Sequence, residues 1–412
     1  MNRDARADLL DIYRHAVAAV NGRDRVRAQL AGWEPGVRVR VIAVGKAAGP
    51  MALGACDALG AAAESVLVIT KYEHAATGFP AGLPVTLIEA GHPLPDANSL
   101  RAGDQLREFI VRAPAPSSFL FLIAGGASAL VEAPPAPLRL PDLRRAHDWL
   151  LGCGWDIAAI NRVRTRLSLI KGGRLATLLG SVRTLQLLIS DVPGDDPAVI
   201  GSGLLTPATA AGAPGREPPA WLAEFTAHAP APPAAGAPCF RAIETRLIAT
   251  SHDARQAAAE RARALGYRVR LHPDLITGEA EPAGRRLACR LREEDPSLHI
   301  WSGETVVTLP EAPGRGGRCQ QLALAAATEL AGLSGRILLA AGTDGGDGPG
   351  SAAGAVVDGA TVARGRALGL DPLECLRRAD AGTFLAASGD LINTGASGTN
   401  VMDLLLAGSV AG

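Results

Sequence analysis

Short apolar runs alternate with alanine-rich stretches along most of this chain, and this alternation constrains the fold more than any other feature. The runs end in turns rich in glycine, aspartate or proline, as where VRVRVIAV leads into GKAAGP and FLFLIA leads into GGASAL. Short β-rich runs are typical of strands, and longer alanine-rich stretches are typical of helices. Strands that alternate with helices predict a mainly parallel sheet with helices on both faces. We therefore predict an α/β fold with two three-layer domains and mainly parallel sheets. Because each of these turns follows a strand, the turns could all open on the same sheet edge and form a composite site.

The composition changes between residues 207 and 238, where proline and alanine replace the periodic pattern. Such a stretch is typical of a linker or a surface excursion. A chain of 412 residues is also long for one domain. We predict an N-terminal domain at residues 1–235 and a C-terminal α/β domain at residues 239–412, with the active site in the cleft between them.

The later part of the second half allows more specific predictions. Residues 298–302 and 306–309 are two β-rich runs, and we predict that they form an antiparallel pair around Gly303 and Glu304. A final helix is predicted at about residues 400–406, after the glycine-punctuated segment GDLINTGASGTN.

The overall charge and the cysteine pattern exclude several classes of protein. Lys+Arg and Asp+Glu balance at 41 each, so no global field attracts nucleic acid or an anionic membrane. The six cysteines are scattered singly with no C-x-x-C pair, which argues against zinc and disulfides and fits a reducing compartment. No apolar run approaches the ~18 residues that a membrane span needs. We expect a soluble cytoplasmic protein in which any anionic ligand is held by local geometry.

Two carboxylates follow the apolar run at residues 337–341, in the sequence GTDGGDGPG. In an open α/β sheet, ligands bind beyond the carboxyl ends of the strands. Asp344 and Asp347 are therefore candidate ligands for Mg²⁺, and the glycines beside them could approach a phosphate. The alternative is a glycine-rich turn with two capping aspartates.

A second glycine-rich turn, GGASAL, follows another apolar run. Neither the Walker A motif nor the dinucleotide fingerprint G-x-G-x-x-G occurs in these loops. Backbone amides of Gly125 and Gly126, with the Ser128 hydroxyl, could nevertheless bind phosphate at a helix start. Close packing at a strand-to-helix turn would explain the same residues.

Three charged residues stand at positions that suit catalysis. Lys46 follows a strand at a helix start, where a lysine is unfavourable unless an anion offsets it. Arg318, in GRGGRCQQ, has a planar fork that suits a carboxylate or phosphate. Asp191 directly follows the run TLQLLIS and could accept a proton from a hydroxyl or hold Mg²⁺. Lys46 could instead be an ordinary exposed lysine, and we expect at least one of Asp191, Asp195 and Asp196 in SDVPGDDP to form an Asx-type turn. His92 could brace its loop or touch substrate.

With these loops in order, the chain resembles glycerate 2-kinases built from an N-terminal glycerate-kinase domain and a C-terminal MOFRL domain. The matching segments are VGKAAGPM, AGHPLPD, GGASAL, INRVRTRLSLIKGGRLA, SDVPGDDPAVIGSG, SGETVV, GRGGRCQQLALA, GTDGGDGPGSAAGAVVD and TGASGTNVMDL. They cover nearly the whole chain in the family's order. The resemblance implies a Rossmann-like first domain and a cytosolic kinase that moves the γ-phosphoryl group of ATP, with Mg²⁺, to the 2-hydroxyl of D-glycerate.

The resemblance also implies roles for the candidate residues. Lys46 and Arg318 would hold the acceptor carboxylate and the moving phosphoryl group, while Asp191 would orient or deprotonate the hydroxyl. Nucleotide phosphate would lie at the turn of Gly125, Gly126 and Ser128, and Asn400 of TGASGTN would help to bind the cofactor.

The sequence departs from the family's pattern in the arginine loop, where the usual GGRNQE reads GGRCQQ, with Cys319 and Gln321. The loss of a carboxylate there leaves open how this loop contacts substrate or metal, and it could shift the acceptor preference. Two rival hypotheses for the function also stay open. One is a hydroxypyruvate reductase that uses NAD(P)H, a label that members of the family have carried. The other is a non-catalytic protein that binds a nucleotide or a carboxylate. The sequence also leaves open whether the protein is a homodimer.

Overall fold

The computed structural model describes residues 4–155, 157–208, 217–291 and 297–409. Part of the predicted linker, residues 209–216, lies outside these ranges. The helices are α1 (Ala5–Ala19), α2 (Gly22–Leu30), α3 (Ala48–Leu59), α4 (Ala97–Val111), α5 (Ala127–Leu130), α6 (Leu140–Gly152), α7 (Ile157–Arg166), α8 (Arg174–Leu179), α9 (Ala220–Thr226), α10 (Ser251–Ala264), α11 (Ala280–Arg290), α12 (Arg318–Leu330), α13 (Thr361–Ala367), α14 (Pro372–Arg377) and α15 (Ala381–Ala387). The strands are β1 (Val39–Val44), β2 (Ala63–Lys71), β3 (Val85–Ala90), β4 (Ser118–Ile123), β5 (Thr184–Ile189), β6 (Ile243–Ala249), β7 (Val269–Leu271), β8 (Ile276–Glu279), β9 (Leu298–Val306), β10 (Arg336–Gly342), β11 (Gly354–Asp358), β12 (Leu391–Ile392) and β13 (Asp403–Ser409).

The chain forms two compact units whose limits differ from the predicted domain boundaries. The parallel-sheet unit is Gly22–Ala249, and the mixed-sheet unit combines Met1–Asn21 with Thr250–Gly412. Helix α1 belongs to the mixed-sheet unit because it packs against α10, and its Leu9 and Ile12 share a hydrophobic cluster with Ala258 of α10. The predicted boundary at residues 207–238 falls within the parallel-sheet unit, because β6 comes after it and pairs with β5.

The parallel-sheet unit contains a six-stranded sheet in the order β3-β2-β1-β4-β5-β6, and all of its described pairings are parallel. Strands β4 and β5 are buried at every residue, as expected for a parallel sheet covered on both faces. Helices α4 and α8 pack on one face through Leu106 and Leu175, and α3 packs against β1 and β2. The strand order reverses between β1 and β4, which makes this pair the topological switch point of the sheet.

The prediction of a mainly parallel sheet is wrong for the mixed-sheet unit. Its sheet has the order β12-β11-β10-β13-β9-β7, with β8 also paired to β9. Strand β10 is antiparallel to both β11 and β13, and only β7 and β8 run parallel to β9. The described residues 343–353 connect β10 to β11 without a helix. A connection without a helical crossover favours antiparallel pairing, which the alternation pattern alone did not reveal.

Two local predictions in this unit are also wrong. The predicted final helix is strand β13, whose Leu404 and Leu406 face α1 and α10 while Leu405 faces α12. A short apolar run does not distinguish a buried strand from a helix, and pairing with β9 and β10 decides it here.

The predicted antiparallel pair at residues 298–309 is one strand, β9, that continues through Gly303. A Cβ at Gly303 would lie 2.0 Å from the Ile276 carbonyl oxygen, so glycine permits the close approach of β8 instead of a turn. The prediction of two α/β domains is confirmed. Within the described ranges, no helix is long and apolar enough to cross a membrane.

Candidate functional site

The switch point of the parallel sheet brings Lys46 and the glycine turn (residues 125–128) together. The Lys46 amide donates to the Gly125 carbonyl at 2.9 Å, which joins the loops that follow β1 and β4. A Cβ at Gly45 would lie 2.5 Å from the Ala124 carbonyl oxygen, so only glycine permits this contact. The predicted meeting of these loops at one sheet edge is therefore present in the fold, at the position where open α/β sheets bind ligands.

Lys46 and His92 approach Gly126 closely. A Cβ placed on Gly126 would lie 3.2 Å from Lys46 Cγ and 3.2 Å from His92 Cδ2. Gly126 also has a φ of +86°, a conformation that side chains disfavour. Both flanking side chains are half-buried. His92, which the sequence left undecided, thus lies at the same turn as the lysine.

Ser128 extends this turn into a polar network. Its hydroxyl lies 2.8 Å from the Ser202 hydroxyl, and Ser202 in turn donates to Asn161 Oδ1 at 3.2 Å. The three glycine-turn residues named by the sequence therefore occupy one turn, but part of the hydrogen-bonding capacity of Ser128 is directed into the protein. Helix α5 begins at Ala127 within this turn and has only four residues, so turn amides rather than a long helix dipole would bind an anion here.

Asp191 lies at the carboxyl edge of the same sheet, two residues beyond the end of β5. Its side chain is half-buried. Asp196 Oδ1 instead accepts from the Ala198 amide at 2.8 Å, so this neighbour forms the local turn that was expected of at least one aspartate here. Of the three aspartates in SDVPGDDP, namely Asp191, Asp195 and Asp196, Asp191 follows its strand most directly and remains the candidate.

Arg318 begins α12 in the mixed-sheet unit, and carboxylates surround its guanidinium. Nε donates to Asp403 Oδ2 at 2.7 Å, Nη2 donates to Asp403 Oδ1 at 2.9 Å, and Nη1 lies 3.0 Å from Glu304 Oε1. Burial by itself lowers the pKa of Arg318, but Asp403 and Glu304 raise it overall. The guanidinium group that was expected to bind substrate is thus held in place by Asp403. Sequence reasoning missed Asp403 because it assigned these residues to a helix.

Asp347 caps the start of α12. Its Oδ1 accepts from the Cys319 amide at 3.0 Å, and its Oδ2 accepts from the Gln320 amide at 2.8 Å and from Gln320 Nε2 at 3.0 Å. Burial raises the pKa of this carboxyl to about 6. Because both oxygens are engaged and the residue is only 3% exposed, the geometry fits the capping alternative better than a metal ligand.

Asp344 differs from Asp347 in being half-buried. Its Oδ1 accepts from the Gly346 amide at 2.9 Å. A Cβ placed on Gly342 would lie 3.2 Å from this oxygen and 3.6 Å from Asp403 Oδ1, so the two carboxylates are neighbours. Within the described ranges no group of three or more His, Cys, Asp or Glu residues could hold a metal ion. A single accessible carboxylate still fits Mg²⁺, which is commonly bound by one or two carboxylates together with substrate phosphates.

Asn400 is buried in a loop that is tied to the end of β10. The next residue, Val401, donates its amide to Thr343 Oγ1 at 2.8 Å, and the Thr343 amide donates to the Met402 carbonyl at 3.1 Å. Asn400 is 5% exposed, so its expected contact with a cofactor stays a prediction.

Cys319 and Gln321, the two residues that depart from the family pattern in the arginine loop, are buried inside the mixed-sheet unit. Cys319 is buried, and Gln321 donates Nε2 to the Leu376 carbonyl at 2.8 Å. Gln321 therefore holds α14, and the geometry gives no reason to expect an altered acceptor from this substitution.

The sequence-predicted residues form two groups, one in each unit. Lys46, Gly125, Gly126, Ser128 and Asp191 lie at the carboxyl edge of the parallel sheet. The second group lies around the start of α12 and the end of β10. Its members are Arg318, Asp344, Asp347 and Asn400.

A parallel sheet with a lysine and a glycine turn at its switch point defines an α/β protein that is suited to a small anionic ligand. Residues 8–217 match the family model described as a domain of unknown function (DUF4147), and residues 297–403 match the MOFRL family. The chain is 35% identical over 403 residues to a protein named D-glycerate 2-kinase from Thermotoga maritima, covering 90% of each. It belongs to the glycerate kinase family, as the resemblance predicted.

Two further relatives and one solved structure are similar to this chain over most of its length. A protein named glycerate 2-kinase from Pyrococcus horikoshii is 32% identical, with 96% of this chain and 93% of that protein covered. A protein from Agrobacterium vitis that carries the name hydroxypyruvate reductase is 35% identical, with 97% and 93% covered. A crystal structure of glycerate kinase from Thermotoga maritima matches with a TM-score of 0.81 and 33% identity, over 98% of this chain and 99% of that one.

Proposed function

We propose that this protein phosphorylates D-glycerate with ATP and releases 2-phosphoglycerate and ADP. The observation that carries the proposal is the contact between Lys46 and the glycine turn at the switch point of the parallel sheet, in a chain of the glycerate kinase family. Phosphoryl transfer needs positioning and charge neutralisation more than covalent help from the protein. A lysine beside the backbone amides of a glycine turn can provide both.

In this proposal each residue of the parallel-sheet unit has a separate role in phosphoryl transfer. The amides of the glycine turn bind phosphate oxygens of the nucleotide, and Lys46 neutralises charge on the phosphoryl group as it moves. Asp191 orients the 2-hydroxyl of glycerate and accepts its proton. The hydroxyl oxygen then forms the new bond to phosphorus, the bond from the γ-phosphorus to the bridging oxygen breaks, and ADP leaves with that electron pair.

The mixed-sheet unit contributes positive charge and a metal ligand in this proposal. Arg318, oriented by Asp403, binds the glycerate carboxylate through its exposed edge, and the side chain is 30% exposed. Asp344 rather than Asp347 is the carboxylate that would hold Mg²⁺, which when bound would neutralise charge on the nucleotide phosphates. Asn400 is proposed to support the cofactor from the adjacent loop. That both groups serve one reaction is part of the proposal and follows from the ordered family motifs.

The test is to incubate the protein with ATP, Mg²⁺ and D-glycerate and to identify the product by ³¹P and ¹³C NMR. We expect phosphorus on the 2-oxygen and one ADP released for each glycerate consumed. L-glycerate tests stereochemistry, and a Lys46→Ala variant purified in parallel controls for contaminating kinases. Phosphorylation at the 3-oxygen, or no ADP release, would contradict the proposal.

A second candidate is hydroxypyruvate reduction with NAD(P)H, because the Agrobacterium vitis relatives carry that name. The loop after β1 reads GKAAGP and lacks the spacing of the dinucleotide fingerprint, which favours the kinase. Absorbance at the NADH band, followed with hydroxypyruvate, decides between them. NADH oxidation that depends on this protein, without ADP formation in the kinase assay, would favour the reductase.

A further inference from the structure

A buried ion pair behind the glycine turn has no place in the mechanism so far. The side chains of Lys171 and Glu132 are 0% and 1% exposed. Removing two charges from water costs several kcal/mol for each ion, and their attraction offsets this cost only with good geometry and further hydrogen bonds. A pair retained at such a cost needs a structural or functional reason, and its contacts identify one.

Lys171 reaches the turn from inside the unit. Nζ donates to the Ser128 carbonyl at 2.6 Å and also to Glu132 Oε1. Ser128 is the last residue of the glycine turn, and the Glu132 amide is fixed by the Ser99 carbonyl at 3.0 Å. The Lys171 ammonium group therefore connects the end of the glycine turn to Glu132, whose backbone is bound to α4 through Ser99.

A second set of hydrogen bonds links the Lys171 segment to the same turn. The Gly172 amide, next to Lys171, donates to the Ser202 carbonyl at 3.0 Å. The Ser202 hydroxyl lies 2.8 Å from the Ser128 hydroxyl. Ser128 is thus held through its carbonyl by Lys171 and through its side chain by Ser202. Lys171 makes the first of these contacts directly, and its neighbour Gly172 binds the residue that makes the second.

We propose that Lys171 is a positioning residue that fixes the glycine turn in the geometry that receives the phosphates of the donor. The inference rests on the proposed function, which assigns this turn to the nucleotide. Glycine loses more conformational entropy than any other residue when it is ordered. A turn that is already ordered before binding leaves less of that entropy to be lost with the ligand, so the donor binds more tightly.

The experiment compares Glu132→Gln with the double variant Glu132→Gln/Lys171→Met. Replacing Lys171 alone would leave the buried Glu132 carboxylate without its ammonium partner, with His147 Nε2 3.6 Å away, whereas the double variant removes both charges. Because Glu132→Gln in turn leaves the ammonium buried without a carboxylate, circular dichroism first checks that both variants are folded. The two proteins differ only in the side chain that binds the Ser128 carbonyl. We measure KM and kcat for ATP and for glycerate, and amide hydrogen exchange of a peptide covering residues 124–132.

We expect the double variant to show about a tenfold higher KM for ATP than Glu132→Gln, which corresponds to about 1.4 kcal/mol of donor binding. The KM for glycerate should stay within about twofold, and exchange in residues 124–132 should be at least about tenfold faster. Ser202→Ala, which removes the second anchor, should change the same two measurements in the same direction. It also provides the test if the double variant does not fold.

Leu143→Ala is the matched control for a general loss of stability. Leu143 is fully buried on α6 in a hydrophobic cluster separate from the glycine turn, and such a truncation costs about 2–5 kcal/mol. It should leave the KM for ATP and the exchange of residues 124–132 unchanged.

Equal exchange and equal KM for ATP in the single and double variants would overturn the positioning role. A rise in the KM for glycerate alone would overturn the assignment of the turn to the donor. If the unmodified protein has no kinase activity, the proposed function fails, but the exchange comparison still decides whether Lys171 fixes the turn.

Discussion

Arg318 and Asp403 are joined by two parallel hydrogen bonds, Nε to Oδ2 at 2.7 Å and Nη2 to Oδ1 at 2.9 Å, although 85 positions separate them in the chain. Asp403 is 4% exposed on its side chain, whereas Arg318 is 30% exposed. The carboxylate is therefore the buried anchor, and the arginine is the partner with a surface left for a ligand. Paired geometry of this kind fixes the plane of a guanidinium as well as its position.

This pairing predicts that charge alone will not replace Arg318. Arg318→Lys keeps a positive charge but loses the two-point contact, so we expect kcat/KM for glycerate to fall by about tenfold or more. Asp403→Asn should give a loss of similar size, because the arginine loses its orientation. Steady-state kinetics with D-glycerate as the varied substrate measure both. Unchanged kinetics in Asp403→Asn, with Arg318→Lys impaired, would show that Asp403 does not orient the arginine.

Lys46→Ala should depress kcat by about 10²-fold or more, because the lysine offsets charge that develops during transfer. Lys46→Arg keeps the charge with a different shape and should recover part of the loss. Circular dichroism confirms that the variants are folded. Near-normal kcat and KM in Lys46→Ala would remove this residue from the site.

Gly126→Ala tests the close approach of Lys46 and His92 to the glycine turn. The added methyl group would meet both side chains at 3.2 Å, and the φ of +86° adds backbone strain. We expect the KM for ATP to rise by about tenfold. Gly78→Ala is the matched control, since Gly78 has a φ of +91° with nothing within 4 Å of the added Cβ. Equal kinetics in the two variants would mean that the contact at Gly126 does not shape the site.

The two aspartates after β10 should separate metal binding from stability. Activity should vanish with EDTA and return with Mg²⁺, and Asp344→Asn should raise the Mg²⁺ concentration needed for half-maximal activity. Asp347→Asn should instead lower the free energy of unfolding by about 1–3 kcal/mol, because it removes a buried acceptor of two amides. Magnesium titrations and urea unfolding provide the measurements. Full activity in metal-free buffer would rule out the metal proposal, and a magnesium effect at Asp347 alone would reverse the assignment.

The pH dependence of stability provides a separate test of the cap. The pKa of Asp347 is raised from 3.8 to about 6, so the protonated form is favoured in the folded protein. Its contribution to stability is fully present below about pH 3.8 and is lost as the pH rises through about 6. The excess stability of the unmodified protein over Asp347→Asn should therefore shrink between about pH 4 and pH 6. Urea unfolding of both proteins in metal-free buffer measures it, and a constant difference would contradict the shifted pKa.

The amino-acid sequence was sufficient to predict the strands of the parallel sheet and the loops at its carboxyl edge. The apolar run FLFLI and the mostly apolar run TLQLLI predict strands of a sheet covered on both faces, and β4 and β5 are buried at every residue. Because parallel strands place their carboxyl ends at one edge, the convergence of Lys46 and Gly125 also followed from the sequence. These features depend on local pattern and on a simple rule of sheet geometry.

Only the tertiary structure decided the partners of the mixed-sheet unit. Asp403 reaches Arg318 because β13 pairs with β9 and β10, and Asp347 caps α12 because the loop after β10 returns to that helix. Helix α1 likewise joins a unit whose other residues begin at Thr250. A mostly apolar run such as VMDLLLAG is compatible with either a helix or a strand. The strands that pair with it in the fold decide between the two. Contacts between residues far apart in the chain depend on strand register and packing, which no local pattern of residues encodes.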